Sequence, residues 1–107
     1  MVVRPAARND QLDIAEYYDA DGGETLGSRF LHQCDAGFQR LAHFPESGTT
    51  VRYKHPKLAG CRFILVPGFD KILIFYKALP DRIEIVRVLA GARSIEETLR
   101  LSMAFAG

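Results

Sequence analysis

The chain contains no tryptophan, only two cysteines, two methionines and three histidines. With Cys34 and Cys61 as the only thiols, a disulfide framework is excluded, and a reducing cytoplasm is the expected compartment. No apolar run approaches the roughly 20 residues needed to span a bilayer, and Met1-Val2-Val3-Arg4-Pro5 turns polar too soon for a secretory leader. No membrane partner is therefore expected. His32 and His43 are expected on one helix, without a carboxylate or cysteine at ligand spacing, so no metal and no cofactor is expected. Gly22-Gly23 lacks the preceding strand and further glycines of a phosphate-binding loop. There is no internal repeat and no low-complexity tract.

What is present reads as one globular domain over residues 1–107, with 48% hydrophobic and 25% charged residues. The net charge of +1 hides an asymmetry. Residues 1–50 carry four arginines against eight acids, which gives −4, and residues 51–107 carry ten Lys and Arg against five acids, which gives +5. Between Val51 and Val66 stand Arg52, Lys54, His55, Lys57 and Arg62, with no carboxylate. A positive half suggests an anionic partner, nucleic acid or an acidic protein surface; a solvated basic edge balancing acidic helices is the plainer alternative.

The stretch from Lys71 to Arg93 organises the rest. Lys71–Lys77 and Arg82–Leu89 are β-favouring runs separated by Ala78-Leu79-Pro80-Asp81, which predicts a hairpin. The first run is apolar at consecutive positions, so both of its faces are expected to be covered. Alternation in the second places Ile83, Ile85, Arg87 and Leu89 on one side and Glu84, Val86 and Val88 on the other. A guanidinium in that apolar row must be paired or must face an opening.

Upstream, Val2-Val3 is a short strand and Pro5 suits a first helical position. Ala6 to about Asp19 is predicted helical, with an apolar stripe of Leu12, Ala15 and Tyr18 beside Ile14. Of Tyr17 and Tyr18, one should face the core and one the solvent. A second helix is predicted from about Glu24 to Phe44 on the stripe Leu26, Phe30, Leu31, Cys34, Phe38, Leu41 and Phe44, ended by Pro45. Cys34 within that stripe reads as core, and Cys61, at the start of a strand over Cys61–Val66, as a packing residue. Ser94-Ile95-Glu96-Glu97 has capping-box spacing for a short helix, and Leu101–Gly107 reads as a frayed tail. The fold class is thus α+β: an N-terminal strand, a two-helix hairpin on one face of a small antiparallel sheet, and a short C-terminal helix. The opposite sheet face is expected to be free to grip another protein.

Five features, taken in order and spacing, carry a family resemblance. They are Pro5-Ala6-Ala7 followed by Leu12-x-Ile14-x-x-Tyr17, then Arg29-Phe30, then Leu41-Ala42-His43-Phe44-Pro45-Glu46-Ser47-Gly48. Ile74-Phe75-Tyr76 and Ile85-Val86-Arg87-Val88-Leu89-Ala90-Gly91-Ala92-Arg93 complete the set. Over about residues 2–100 the chain resembles the RelE/ParE superfamily of type II toxins, the plasmid-stabilisation proteins, and leans to the ParE branch. The resemblance implies a toxin neutralised by a cognate antitoxin whose disordered C-terminal segment wraps it, with DNA contacted only indirectly, through the antitoxin. ParE-like members poison DNA gyrase; RelE-like members cut messenger RNA on the ribosome.

Metal-free RNA cleavage needs a proton carrier and cations to neutralise the phosphorane. Many cleaving members place His or Tyr just past the last strand, where this chain has Ala90-Gly91-Ala92. The preferred expectation is therefore a binding-type gyrase poison without a catalytic centre. The alternatives are a ribosome-dependent endoribonuclease using Lys54, His55 and Arg93, or a degenerate, non-toxic relative. Candidate antitoxin- or target-binding residues are Arg52, Lys54, Lys57, Arg62, Arg87 and Arg93. For Arg87 the competing reading is a partly buried ion pair to an acid of the first two helices, and for Arg93 a solvated surface position.

Overall fold

The computed structural model describes residues 1–22, 25–53, 55–91 and 95–104. In chain order these form β1 (Val2–Val3), α1 (Pro5–Gly22), α2 (Leu26–His43), β2 (Thr49–Thr50), a 3-10 turn (Pro56–Leu58), β3 (Cys61–Val66), β4 (Phe69–Ala78), β5 (Ile83–Ala90) and α3 (Ile95–Ala104). The five strands make one sheet in the order β1-β5-β4-β3-β2. It is mixed rather than purely antiparallel, because β1 runs parallel to β5 with Val2 opposite Glu84. The α+β class and the expected element order hold. Capping by Ser94 and the position of Arg93 lie outside the described residues.

Pro5 opens α1 directly after β1, and the Arg4 N–H donates to Ile85 O at 3.0 Å as the chain leaves the sheet. The buried stripe of α1 is Ala7, Gln11 and Ala15, with Ile14 and Tyr18 packed beside it. Leu12, expected in the stripe, is 53% exposed; the polar Gln11 occupies the inward position instead. Gln11 is tolerated there because Arg8 Nη1 donates to its Oε1 at 2.8 Å. Tyr17 points outward and Tyr18 inward, where Tyr18, Phe30 and Phe69 pack with ring centroids 5.1–5.6 Å apart. This triad joins both helices to β4.

Helix α2 buries Phe30, Cys34, Phe38 and Leu41 as its spacing demands, but Phe44 lies past its end and is exposed. Thr25 supplies no side-chain cap. The Asp19 carboxylate of the preceding helix does so instead, accepting from Gly27 N–H at 2.8 Å. A Cβ at Gly27 would stand 2.5 Å from Ala15 O and 2.6 Å from the Asp19 oxygens, so the two helices approach closely only because position 27 has no side chain.

The β4–β5 hairpin closes over Pro80-Asp81, with Leu79 N–H donating to Arg82 O at 2.8 Å. Its simple alternation fails at one point. The register pairs Phe75 with Arg87 and Tyr76 with Ile85, so Val86 is an extra residue, a β-bulge. The bulge shifts the phase. Ile83, Ile85 and Val88 pack under the helices, and Val86 and Leu89 on the other face, against the expected grouping of Val86 with Val88.

Both faces of β4 are covered, as its continuous apolar run required: Ile72, Ile74 and Tyr76 beneath the helices, Leu73 and Phe75 opposite. That second face is not free, contrary to expectation. Val51, Leu58, Cys61, Phe75, Val86 and Leu99 form a second core, roofed by the 51–58 segment and α3. Helix α3 continues through Leu101, itself about half exposed, to Ala104, where a frayed tail was expected.

Tyr76 ties the sheet to the turn after α2. Its buried hydroxyl donates to Pro45 O at 2.8 Å and accepts from Gly48 N–H at 2.9 Å. A Cβ at Gly48 would stand 2.5 Å from that hydroxyl and 2.8 Å from Phe63 O. Tyr76→Phe is expected to cost about 1–3 kcal/mol in urea unfolding, because it leaves a buried N–H without its acceptor. Gly48→Ala, which must displace backbone as well as the ring, should cost at least as much.

Candidate functional site

Two surfaces hold the residues nominated by the sequence. The first is a cleft of about 640 Å³ between β1, the start of α1, β5 and α3, with Val2, Pro5, Ala6, Val86 and Leu101 as its apolar lining and Arg4, Glu84 and Arg87 as its charges. Val2 and Leu101 are about half exposed on its rim. Its charges are matched in pairs. Arg4 Nε donates to Glu84 Oε1 at 2.9 Å, and Arg82 Nε donates to Glu84 Oε2 at 2.9 Å. The Arg4 hydrogen bond, reinforced by Arg82, holds the Glu84 carboxyl below the ordinary carboxylate range.

Arg87 is the second matched charge. Its Nε and Nη2 donate to the two oxygens of Asp10, both at 2.7 Å, while Nη1 donates to Ser102 Oγ at 3.1 Å. Asp10 Oδ2 also accepts from Val88 N–H at 3.0 Å. The hydrogen bond to Asp10 raises the Arg87 pKa, so this group stays charged at every physiological pH. Arg87 therefore forms the ion pair to a first-helix acid that was one of its two readings.

The second surface is the β2–β3 edge. Arg62, half-buried on β3, donates from Nη1 to Gly48 O at 2.9 Å and to Glu46 O at 3.3 Å, which holds the turn after α2. Arg52 and Lys57 are exposed, and Lys77 Nζ donates to Lys57 O at 3.2 Å. His55 caps the 3-10 turn: its Nδ1 accepts from Lys57 N–H at 3.1 Å, which in the neutral ring puts the proton on Nε2. The structure thus brings His55, Lys57 and Lys77 together, while Arg87 bonds to Asp10 and Ser102. Lys54 and Arg93 lie outside the described residues.

Sequence reasoning did not single out Asp10, Arg4, Glu84, Tyr76 or Lys77. Asp10 carried a usable signal, since it lies one turn after the inward-facing Ala7. The pairing of Arg4 with Glu84 spans the parallel β1–β5 contact and has no local signature.

The thiols are inert. Burial pushes Cys34 and Cys61 each up to about 11. The neighbouring Gln11 side chain opposes the shift at Cys34, and the buried Gln11 amide nitrogen has no hydrogen-bond partner among the described residues. Among the described residues no group of three or more His, Cys, Asp or Glu could hold a metal, and no helix is long and apolar enough to cross a membrane.

Two outcomes follow from these assignments. Asp10→Ala, which strands a largely buried guanidinium, should cost roughly 2–4 kcal/mol, and replacing Arg87 as well by Met should recover part of that loss in the same unfolding assay. Iodoacetamide at pH 8 should leave both cysteines unmodified in the folded protein and label both once it is denatured, as read by mass spectrometry.

The comparisons with known proteins agree with this architecture. The family model of the ParE toxin of type II toxin-antitoxin systems, parDE, matches residues 1–95. A solved chain from the chromosomal ParDE TA system of P. aeruginosa has the same fold, with a TM-score of 0.69 over 86% of this chain and 97% of that one, at 15% identity. No curated protein matches the sequence closely enough to count as a relative. On the family match, which takes in nearly the whole chain, this protein belongs to the ParE toxins of type II toxin–antitoxin systems.

Proposed function

We propose that this ParE-type toxin is held inactive by a cognate antitoxin in the cytoplasm and, once free, inhibits DNA gyrase by binding rather than by cutting RNA. The family match carries the first half of this reading. The cleft beside β1 supports it, since its apolar floor and neutralised charges suit an apolar side chain of a partner segment better than a free ion. The second half is supported by what the residues can do with protons. At the end of β5 and just past it the sequence has Ala90-Gly91-Ala92, none of whose side chains can move one. His55, in the basic segment, has one ring nitrogen committed to the Lys57 backbone, and the Tyr76 hydroxyl is buried and bonded at both ends.

Expression in growing cells tests the target. Filamentation with DNA-damage signalling is expected, together with loss of supercoiling by purified gyrase and its return when antitoxin is added first. His55→Ala should be as toxic as the parent. Normal supercoiling at excess toxin, with cleaved messages and a prompt stop in translation, would establish the ribonuclease reading instead.

A further inference from the structure

Beside the second core the chain encloses a pocket of about 420 Å³, a size typical of small-molecule sites. Phe63 of β3 and Leu73 and Phe75 of β4 form its floor, and Tyr53 and Ile95, the first residue of α3, add to its wall. The register explains why the floor residues meet. Phe63 lies directly opposite Phe75, and Leu73 is two positions along the same strand, so all three project from the sheet face that is turned away from α1 and α2. Phe75 is fully packed into the second core, whereas Phe63, Leu73, Tyr53 and Ile95 are only partly buried. A single lining residue is charged. Arg52 is exposed and forms no ion pair among the described residues. Lys71, two positions from Leu73 and therefore on the same face, is also exposed and also without an ion pair among the described residues. Glu96 and Glu97, which follow Ile95, are exposed and outside the lining. The cleft beside β1 differs in this respect, since its charges are cancelled in pairs.

We infer that this pocket binds a free fatty acid, with the alkyl chain against Phe63, Leu73 and Phe75 and the carboxylate at Arg52. The apolar floor selects an apolar body, and the one uncancelled charge at the pocket selects an anion. A guanidinium matches a carboxylate with two parallel hydrogen bonds, so one compact anionic group suffices. The floor also favours a flexible chain over a flat ring. Phe63 and Phe75 are inclined at 48° with centroids 5.9 Å apart, which leaves no parallel-sided slot for a planar ligand to stack in. A second copy of the chain is the less suitable occupant, because it would bring Arg52 and Lys71 towards cations of the same sign. The inference does not depend on which cellular target the toxin poisons.

The test is isothermal titration calorimetry of the purified full chain, free of antitoxin, with decanoate below its micelle-forming concentration, at about pH 8, where the carboxylate is ionised. Saturable one-to-one binding is expected, roughly 15-fold tighter than that of octanoate for two further buried methylenes. Decanol, the same chain without the charge, should bind at least about threefold more weakly. Arg52→Gln should remove that preference, whereas Arg40→Gln, an equal charge change at an exposed position of α2, should leave it intact. Ile95→Trp, which fills the pocket, should weaken decanoate and decanol alike; circular dichroism confirms that the variants are folded, and the Arg52→Gln and decanol comparisons decide the matter if this one is not. The inference is overturned by no saturable binding up to about 1 mM, by decanol binding as tightly as decanoate, by equal losses in the R52Q and R40Q variants, or by undiminished binding to folded I95W. Binding to vesicles of anionic phospholipid without binding of monomeric decanoate overturns it in favour of a membrane surface.

Discussion

The burial of Arg87 is the constraint on which the rest of the arrangement depends. A guanidinium on a central strand cannot be desolvated without a partner. Asp10 meets that need with both oxygens, and one of them accepts the Val88 N–H as well. The carboxylate thereby does two jobs. It neutralises the charge, and it satisfies β5 backbone beyond the point where the two-residue β1 stops pairing. Helix α1 continues through a side chain what the edge strand began. Ser102 adds a third element, because its Oγ accepts from Arg87 while donating to Thr98 O within α3. One side chain on β5 thus fixes the positions of a helix on each side of the sheet, and the bulge at Val86 sets the phase in which it can do so.

A second polar anchor sits across the sheet and obeys the same rule. Tyr76 has both its hydrogen-bonding roles filled by the turn after α2, and Arg62 grips that turn from the strand beside it. Gly48 is required because the hydroxyl occupies the space its Cβ would need. The Phe44-Pro45-Glu46-Ser47-Gly48 run is therefore shaped by contacts made some 30 positions downstream, and its composition is a consequence of the sheet.

This explains what could be read from the sequence and what could not. Element order, the helix-ending role of Pro45, the inward stripe Phe30–Cys34–Phe38–Leu41 and the Pro80-Asp81 turn all follow from local periodicity and turn chemistry. Three misreadings have one origin. Leu12 was assigned inward, Val86 was grouped with Val88, and the second sheet face was left open. Each depended on a contact that polarity and period do not show: the Arg8 hydrogen bond that lets Gln11 turn inward, the β4 register for Val86, and Leu58 with Leu99 for the roof. Polarity and period describe a residue's own preference; they do not report a partner that cancels it. The candidate site was legible to the same degree. Its residue types and the need to pair Arg87 could be stated, but not that the partner was Asp10.

Neutralisation also sorts the cations into two kinds. Arg4 and Arg87 are largely buried and their charge is cancelled by a carboxylate; removing Arg87 strands Asp10 and acts first on stability, whereas Glu84 keeps Arg82 when Arg4 is removed. Arg52 and Lys57 are exposed and among the described residues no acid pairs with them, so removing them costs the fold little and alters chiefly the field the molecule presents. Arg62 lies between these classes, uncancelled but committed to the Gly48 and Glu46 carbonyls. The sequence lists all of these as equivalent positive residues. Only the pairing of charges in three dimensions separates the ones that hold the protein together from the ones available to a partner.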